Sequence, residues 1–528
     1  MESTHDQSSL GIIIDSMIIP TWIFKTIKNI IKHENGPDIL IILTNFSNKQ
    51  NSNINSIPPL LSFYKKFDSK IFKIANDASK LVNIEELLGD IQVLKIEINE
   101  NADNLEKIKM HNLDLIVSFV PDLVTDEISQ CSKLGVLFPD IQYVHSELIA
   151  VEEVICQYPT TRIKSLLKKN GSTFIVREAF IATDPTSTKR NRSNYLWKNS
   201  ALILRSLSDI SRHGHVGLKP ISDIKNCEKN YIIKNISQNI TRFILRVIKR
   251  KLIDIFYFER WILMYGVNSY PFKNISIFKK LIPPKDRFWA DPFMILENNV
   301  LHIFIEECIY GKNGHVSVIT MNDDGTCQKP KMVLERPYHL SYPFVFKFND
   351  NYFMIPETME NGTIEVYRCL KFPHKWEFYK NLFTDIRAVD TTLFYHNSKW
   401  WLFTVISEFE GETTWDELFL FYANDPLSDN WIPHPKNPIV SDVRNARPAG
   451  RVFHVGDWIL RPSQDSSKGY GHSIVLNRIT LLNETEYEET RISSIEPDFG
   501  QNINGVHSLC FEKNLTVIDA KQKTPKFG

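Results

Sequence analysis

The stretches FWADPFMI from Phe288, SYPFVFKF from Ser341, AVDTTLFY from Ala388, ARPAGRVF from Ala446 and NGVHSLCF from Asn504 share one design. Each sets a polar side chain into an apolar strand. After a short polar turn a second apolar strand follows: VLHIFIEE, YFMIPE, WWLFTVIS, WILRPSQ and LTVIDA in turn. The unit recurs at a spacing of roughly 50 to 60 residues, within reach of a propeller blade of four strands. Short strands punctuated by Pro and Gly, rich in Trp, Tyr and Phe, continue from 258 to the end of the sequence. The expectation is an all-β C-terminal domain over 258–528, a five-bladed β-propeller. FERWILMYGV, ahead of the first repeat, supplies a strand able to close the ring onto the last blade.

In a propeller the first strand of each blade lines the central channel. In an antiparallel hairpin, the start of strand one and the end of strand two lie at the same edge. The residues at those places therefore crowd one mouth. Strand starts give Asp291, Tyr342, Asp390, Arg447 and His507; strand ends give Glu306, Glu307, Glu357, Gln464, Asp465 and Asp519. A single polar residue at a strand end is ordinarily a turn residue, but the recurrence across blades points to a site. Polar groups converging on a concavity suit a hydrophilic ligand such as a sugar. Asp291 sits between FWA and PFMI, and Asp390 between AV and TTLF. An acid inside an apolar strand must be paired, hydrogen-bonded or shifted in pKa. The candidate catalytic residues are Asp291, Asp390 and Glu357. The candidate substrate-binding residues are Arg447, Trp289, Glu307, Gln464, Asp465 and His507. Arg447 has two open readings: a grip on a phosphate-bearing or anionic sugar, or a structural ion pair inside the channel.

The whole chain has 528 residues, room for roughly two to four domains. With 62 basic and 62 acidic residues its formal charge is zero, which removes the electrostatic footprint of a general nucleic-acid binder. The seven cysteines, Cys131, Cys156, Cys227, Cys308, Cys327, Cys369 and Cys510, have no CxxC spacing. They read as free thiols in a reducing, cytoplasmic setting. The run GIIIDSMIIP is short and broken by Asp15, so neither a signal peptide nor a transmembrane helix is expected there. There is no GxGxxG after a strand, no GxxxxGK, no HExxH and no DxD-like site. No metal is expected, and a nucleotide-sugar donor is the one candidate cofactor.

Residues 1–215 read as α/β. GIIID near Ile12, DILIILT near Ile39 and LDLIVSFV near Leu113 are buried strands, with helical stretches such as IPTWIFKTIKNIIKH between them. That alternation predicts a doubly wound, mainly parallel sheet. Residues 216–257 form a connector whose core, 236–257, is a basic amphipathic helix. Arg242, Arg246, Lys249, Arg250 and Lys251 alternate there with Phe243, Ile244, Val247, Ile248 and Ile255. Two readings stay open: a linker helix packed between domains, or peripheral contact with an anionic membrane. The acidic run EFEGETTWDE from Glu408 reads as a solvated turn, or as a segment that lines the channel mouth or holds a cation.

FWADPF resembles the start of the first blade in glycoside hydrolase family 43. The resemblance implies a general base at Asp291 and a tuning Asp at Asp390. The fourth blade departs, with Ala446-Arg447-Pro448-Ala449-Gly450 where the family places its acid. A glycoside hydrolase needs both an acid and a base, so the acid would have to be Glu357 or another carboxyl. The C-terminal half is also similar to the propeller of plant glucosamine inositolphosphorylceramide transferases and of related bacterial proteins. Phe288–Phe293, the run 431–438, Arg447-Pro448-Ala449-Gly450 and the run 461–465 with Tyr470-Gly471 carry that likeness. LDLIVSFVPDLVTDEISQCSKLGVLF resembles the formyltransferase fold. By that likeness Phe138 falls where the family places an Asn and Asp140 where it places a His, so the formyltransferase site would be degenerate; His145 lies close by.

Four functions follow, and the first is preferred. It is an enzyme of glycan biosynthesis, a glycosyltransferase or sugar-modifying protein, with Asp291 as base, Asp390 tuning it and Arg447 on an anionic donor. The others are a glycoside hydrolase with a displaced acid, a non-catalytic carbohydrate-binding scaffold, and a sugar N-formyltransferase. The expected partner is a carbohydrate or nucleotide sugar.

Overall fold

The computed structural model describes residues 9–32, 38–44, 58–96, 102–141, 148–213, 218–221, 229–267, 275–322, 325–497, 502–512 and 515–526. Cys227 and His145 lie outside them. Two compact units form, Met1–Ile248 with Phe409–Glu412, and Lys249–Glu408 with Thr413–Gly528.

The first unit is built on one sheet. Five parallel strands run in the order Gln92–Ile96, Asp38–Thr44, Ser9–Ile14, Leu115–Ser118, Val136–Pro139. Antiparallel strands Thr160–Lys169 and Ser172–Ala182, then Lys219–Pro220, extend that edge. The first strand sits centrally and the chain winds outward both ways, the doubly wound arrangement. Its strands are apolar throughout because both faces are covered. Ile12, Ile14, Ile41 and Val117 pack into one core, while Ile13, Leu40, Ile42 and Ile116 pack into the other. Phe138 is buried on the last parallel strand. The Asp140 carboxylate lies 3.4 Å from Lys164 Nζ, and the backbone N–H of Asp140 donates to Lys164 O. These two places thus hold a core side chain and an ion pair, with no amide or imidazole to polarise a formyl donor. The tetrapeptide Phe409–Glu412 groups with this unit. The Glu412 side chain is buried there, 3.2 Å from Arg205, which corrects the solvated turn expected of that acidic run at this residue.

A helix of 28 residues, Lys229–Phe256, follows. Ile236, Ile240, Phe243 and Val247 form its buried stripe and pack on Leu61 and Tyr64 of the Pro59–Ile71 helix. Among the described residues no helix is long and apolar enough to cross a membrane.

The second unit is a five-bladed propeller. Blade one comprises Arg287–Glu297, Val300–Ile309, His315–Met321 and Lys331–Leu334. Blades two, three and four repeat this four-strand meander from Ser341, Ala388 and Phe453. The fifth is composite. Tyr257–Val267 pairs antiparallel with Leu515–Pro525 from Tyr257↔Pro525 to Val267↔Leu515. Ile503–Gly505 and Leu509–Glu512 pair with the other edge of Leu515–Pro525, and Lys279–Leu281 with the other edge of Tyr257–Val267. FERWILMYGV therefore closes the ring, as its position predicts, by a ladder of backbone hydrogen bonds between the two ends of the unit.

Blades diverge from the axis, and the wedges between them are filled by aromatic side chains. Phe293 meets Phe344 at 5.6 Å and Phe304 meets Trp376 at 5.7 Å, both edge to face. Fully burying one such ring contributes about 1.5–3 kcal/mol. Gly450 marks a close approach of two blades. Its φ is +124°, and a Cβ there would lie 2.0 Å from Leu509 O. Only glycine fits that contact.

Candidate functional site

Blades one, two and three carry the same device at the same place. The innermost strand breaks register between Ala290 and Phe293, between Ser341 and Phe344, and between Val389 and Thr392. Within each break one residue has a left-handed backbone: Asp291 (φ 51°), Tyr342 (φ 43°) and Asp390 (φ 54°). A bulge re-aims the side chain it carries. A non-glycine residue held at positive φ costs on the order of 1–3 kcal/mol and collects at functional sites. Three of them together mark the hub.

Asp291 is 4% exposed. Its Oδ1 accepts Ser508 Oγ–H at 2.6 Å and its Oδ2 accepts the Tyr342 N–H at 3.3 Å. His507 Nε2 stands 3.5 Å from Oδ1, and His507 Nδ1 stands 2.7 Å from Asp519 Oδ2. The result is a chain Asp519–His507–Asp291 running across the joint of blades five and one. Burial pushes the Asp291 carboxyl up to about 6, partly opposed by His507 and reinforced by Asp519 and Glu306. Burial alone would lower the His507 pKa; Asp519 and Asp291 outweigh it and raise it.

Asp390 is buried beside Arg447. Arg447 Nε donates to Asp390 Oδ2 at 2.5 Å, and an Nη–H to Oδ1 at 3.2 Å. The other Nη donates to Thr414 O at 3.4 Å. This bidentate fork commits the guanidinium to Asp390. Of the two readings of Arg447, the geometry gives the internal ion pair. Gln464 Nε2 adds a bond to Asp390 Oδ2 at 3.2 Å and another to Pro448 O. Burial still raises the Asp390 pKa, against the pull of Arg447 and with the push of Asp291. Glu357 accepts Ser341 Oγ–H at 2.9 Å and the Met359 N–H at 3.2 Å. Burial, then the charge of Asp390, raises its pKa as well. The hub thus gathers Asp291, Asp390, Glu357, Gln464 and His507, and three of its carboxyls hold their protons more tightly than carboxyls in water.

Trp289, Glu307 and Asp465 do not join them. Successive side chains on a strand point to opposite faces. Glu306 reaches the hub side, where it lies 3.1 Å from His339 Nε2, and Glu307 is turned the other way. Glu307 is saturated with donors from Arg287, Trp289 Nε1 and Ser317, with His315 Nε2 at 3.3 Å. Burial would raise its pKa; those hydrogen bonds hold it down at about 2. Trp289 is therefore a core ring that anchors Glu307. Asp465, next to the hub residue Gln464, accepts the Ser467 N–H and Oγ–H and closes a turn.

Several site residues carried no polar signal. Trp261, from the closing strand, stacks on His507 with ring centroids 4.1 Å apart. Tyr470 stands 5.3 Å from the His507 ring and 5.9 Å from Trp415, with Arg447 over its face at 5.0 Å. The three rings are half-buried, and apolar faces beside carboxyls suit the two faces of a pyranose. His339 is raised to about 9, chiefly by its bond to Glu306, with burial opposing. Tyr470-Gly471 and the ring-closing Trp261 were visible as motif letters, but their convergence on His507 needs the ring.

Asp291, His507 and Asp519 place one ligand atom each within 4.8 Å of one another. Asp519, however, already accepts the N–H groups of Asp291, His507 and Ser508 and faces His507 Nδ1. That leaves its oxygens occupied, so the set suits proton handling better than cation binding. A groove of about 440 Å³ on blade four is lined by Asp442, Asn445, Tyr487 and Glu489 among others. Two of its acids are paired, Asp442 with Arg444 and Glu489 with Arg461.

Among known proteins, the chain is 34% identical over 210 residues to the glucosamine inositolphosphorylceramide transferase 1 of Oryza sativa subsp. japonica. That alignment covers 39% of this chain and 28% of the relative. The Arabidopsis thaliana protein of the same name is 32% identical over 209 residues, 39% of this chain and 27% of its own. The chain thus spans under a third of the length of these curated relatives. Among solved structures, a family 117 glycoside hydrolase from Zobellia galactanivorans is similar at 12% identity and a TM-score of 0.33, over 50% of this chain and 90% of its own. A GH43_1 enzyme from Xanthomonas citri is similar at 9% identity and a TM-score of 0.33, over 46% and 88%. The propeller, over residues 278–509, matches the family described as glucosamine inositolphosphorylceramide transferase 1, N-terminal.

Proposed function

We propose that the propeller hub is a carbohydrate site and that the protein is a glycosyltransferase-type enzyme of glycan biosynthesis. The observation that carries this is the pair of aspartates, Asp291 and Asp390, each buried at positive φ in a bulge, one in blade one and the other in blade three. Asp291, raised to about 6, is a base matched to neutral pH. It takes the proton of an acceptor hydroxyl as that oxygen attacks the anomeric carbon and the donor's leaving group departs. His507, held by Asp519, stabilises the Asp291 carboxylate before the proton arrives. Asp390, neutralised by Arg447, positions Gln464 and sets the field at Asp291. Gln464 Oε1 has no hydrogen-bond partner among the described residues, which leaves an acceptor for a sugar hydroxyl. Trp261, Tyr470 and Trp415 supply stacking surface.

The relatives are named as transferases of glucosamine and inositolphosphorylceramide. A nucleotide-activated amino sugar as donor and a lipid-linked inositol phosphate as acceptor are the first pair to try. The six described cysteines are free, which supports a reducing, cytoplasmic setting. The test is turnover of a panel of nucleotide sugars with acceptors. Loss of turnover in Asp291→Asn with donor binding retained, read by thermal shift, is the expected result; unchanged kcat in that variant overturns the assignment.

A second reading, glycoside hydrolysis, is favoured by Glu357. Its raised pKa would let it supply the proton that blade four, with Arg447, does not. Cleavage of aryl arabinosides or xylosides, lost in both Asp291→Asn and Glu357→Gln, would select it.

A further inference from the structure

We infer that the Pro59–Ile71 and Lys229–Phe256 helices present a docking surface for an anionic lipid bilayer, which the protein binds peripherally. The two helices pack on each other through buried residues. Tyr64 meets the Phe243 ring edge-on at 5.0 Å, and Leu61 shares their core with Ile236, Ile240 and Val247. What they turn outward is also apolar. On the shorter helix, Leu60, Phe63, Phe67 and Ile71 are exposed, Phe63 to 69%. Their spacing of three and four residues puts them on one face. On the longer helix, Leu245, Ile248, Leu252 and Ile255 repeat that spacing and are each more than half exposed. That stripe faces away from Ile236, Ile240, Phe243 and Val247. A helix that packs one face and still spends large apolar side chains on another is keeping that second face for a partner.

Charge selects the partner. From Arg242 to Phe256 there are five basic residues, Arg242, Arg246, Lys249, Arg250 and Lys251, against one acid, Asp254. The shorter helix carries Lys65, Lys66 and Lys70. Its single acid, Asp68, is buried and consumed by Ser187, Thr188 and the Lys189 N–H. Cations around an apolar stripe with exposed phenylalanines form the pattern that seats a helix between headgroups and acyl chains. No described helix is long and apolar enough to cross the bilayer, so the contact is with its surface. This inference does not depend on the chemistry of the propeller hub.

The experiment is co-sedimentation of the full chain with vesicles of phosphatidylcholine alone and with about one third phosphatidylserine. Binding is expected only to the anionic vesicles and weakens as salt rises. Two variants separate the contributions: Phe63→Ser with Leu245→Ser, and Lys249→Glu with Arg250→Glu and Lys251→Glu. Each is expected to lower the partition coefficient about tenfold or more, without change in melting temperature because the altered side chains are exposed. No binding, equal binding to both vesicles, or binding that both variants leave intact overturns the proposal. So does a dimer in solution that the Phe63→Ser, Leu245→Ser variant dissolves while vesicle binding is unaffected.

Discussion

Asp291 and Glu307 lie on neighbouring strands of one blade and are equally hidden, at 4% and 5% exposure. Their environments are opposite. Glu307 is wrapped by Arg287, Trp289, Ser317 and His315, and its carboxyl is held down at about 2. Asp291 has one hydroxyl, one backbone N–H at 3.3 Å and an imidazole at 3.5 Å, and its carboxyl is pushed up to about 6. Burial raises both. The number and strength of donors decides the sign of the outcome. The flank of the blade satisfies its acid to hold the fold together; at the hub Asp291 has fewer and weaker donors, and its carboxyl stays raised.

The contrast is broken most directly at Asp291. Asp291→Asn is expected to reduce turnover about 100- to 10,000-fold, the range for a positioned general base. Its melting temperature at pH 8 should be no lower than that of the parent. The sign follows from the raised pKa. The protonated carboxyl is favoured in the fold, so its contribution is fully present below about 3.8 and is lost as pH rises through about 6. A melting temperature that falls steeply in Asp291→Asn at pH 8 would place Asp291 with the structural acids.

Arg447→Met strands Asp390 as a buried, unpaired carboxylate. Urea denaturation should show a loss of about 3–5 kcal/mol. Adding Asp390→Asn should recover a large part of it, because the uncompensated charge is then gone. Additive losses would mean that the pair is not coupled.

Glu307→Gln should cost about 2–3 kcal/mol, since donors aimed at a carboxylate lose their partner. Activity should change little. The parent's stability from this residue is present above about 4.5 and lost as pH falls toward about 2, so Glu307→Gln should flatten the acid limb of the stability curve.

The smallest expected effect is at His339. Its pKa is raised from 6.5 to about 9 by Glu306, so its contribution is present below 6.5 and lost as pH rises through about 9. His339→Gln should reduce the fall of melting temperature across that window by a few degrees. An unchanged slope would show that Glu306 needs no cationic partner.

The repeat was legible in the sequence because a blade is a local structure. Its strands are adjacent in the chain, and the apolar letters and turn residues follow period two. Asp291 and Asp390 are legible for a related reason: an acid inside an apolar strand conflicts with its surroundings, and the structure buries both at the hub. Sequence letters alone do not settle which of two adjacent strand-end residues faces inward, so Glu307 and Asp465, expected at the hub, lie outside it. A register break in the innermost strand or a one-residue shift reverses that choice. Trp261, Tyr470 and Trp415 stand in stretches the sequence singles out, but nothing marks their rings as site residues, because an aromatic residue in an all-β domain is most often core.

The sequence by itself determined that there are five sheets, that Tyr257–Val267 is free to close them, and that acids sit where the channel begins. Tertiary structure alone decided which acids are left proton-holding, that Arg447 is spent on Asp390, and that Asp519, His507 and Asp291 form one chain. The reason is physical. Strand formation depends on neighbours in sequence, whereas desolvation and hydrogen-bond supply depend on neighbours in space, and at the hub those come from the first and last strands of the ring together.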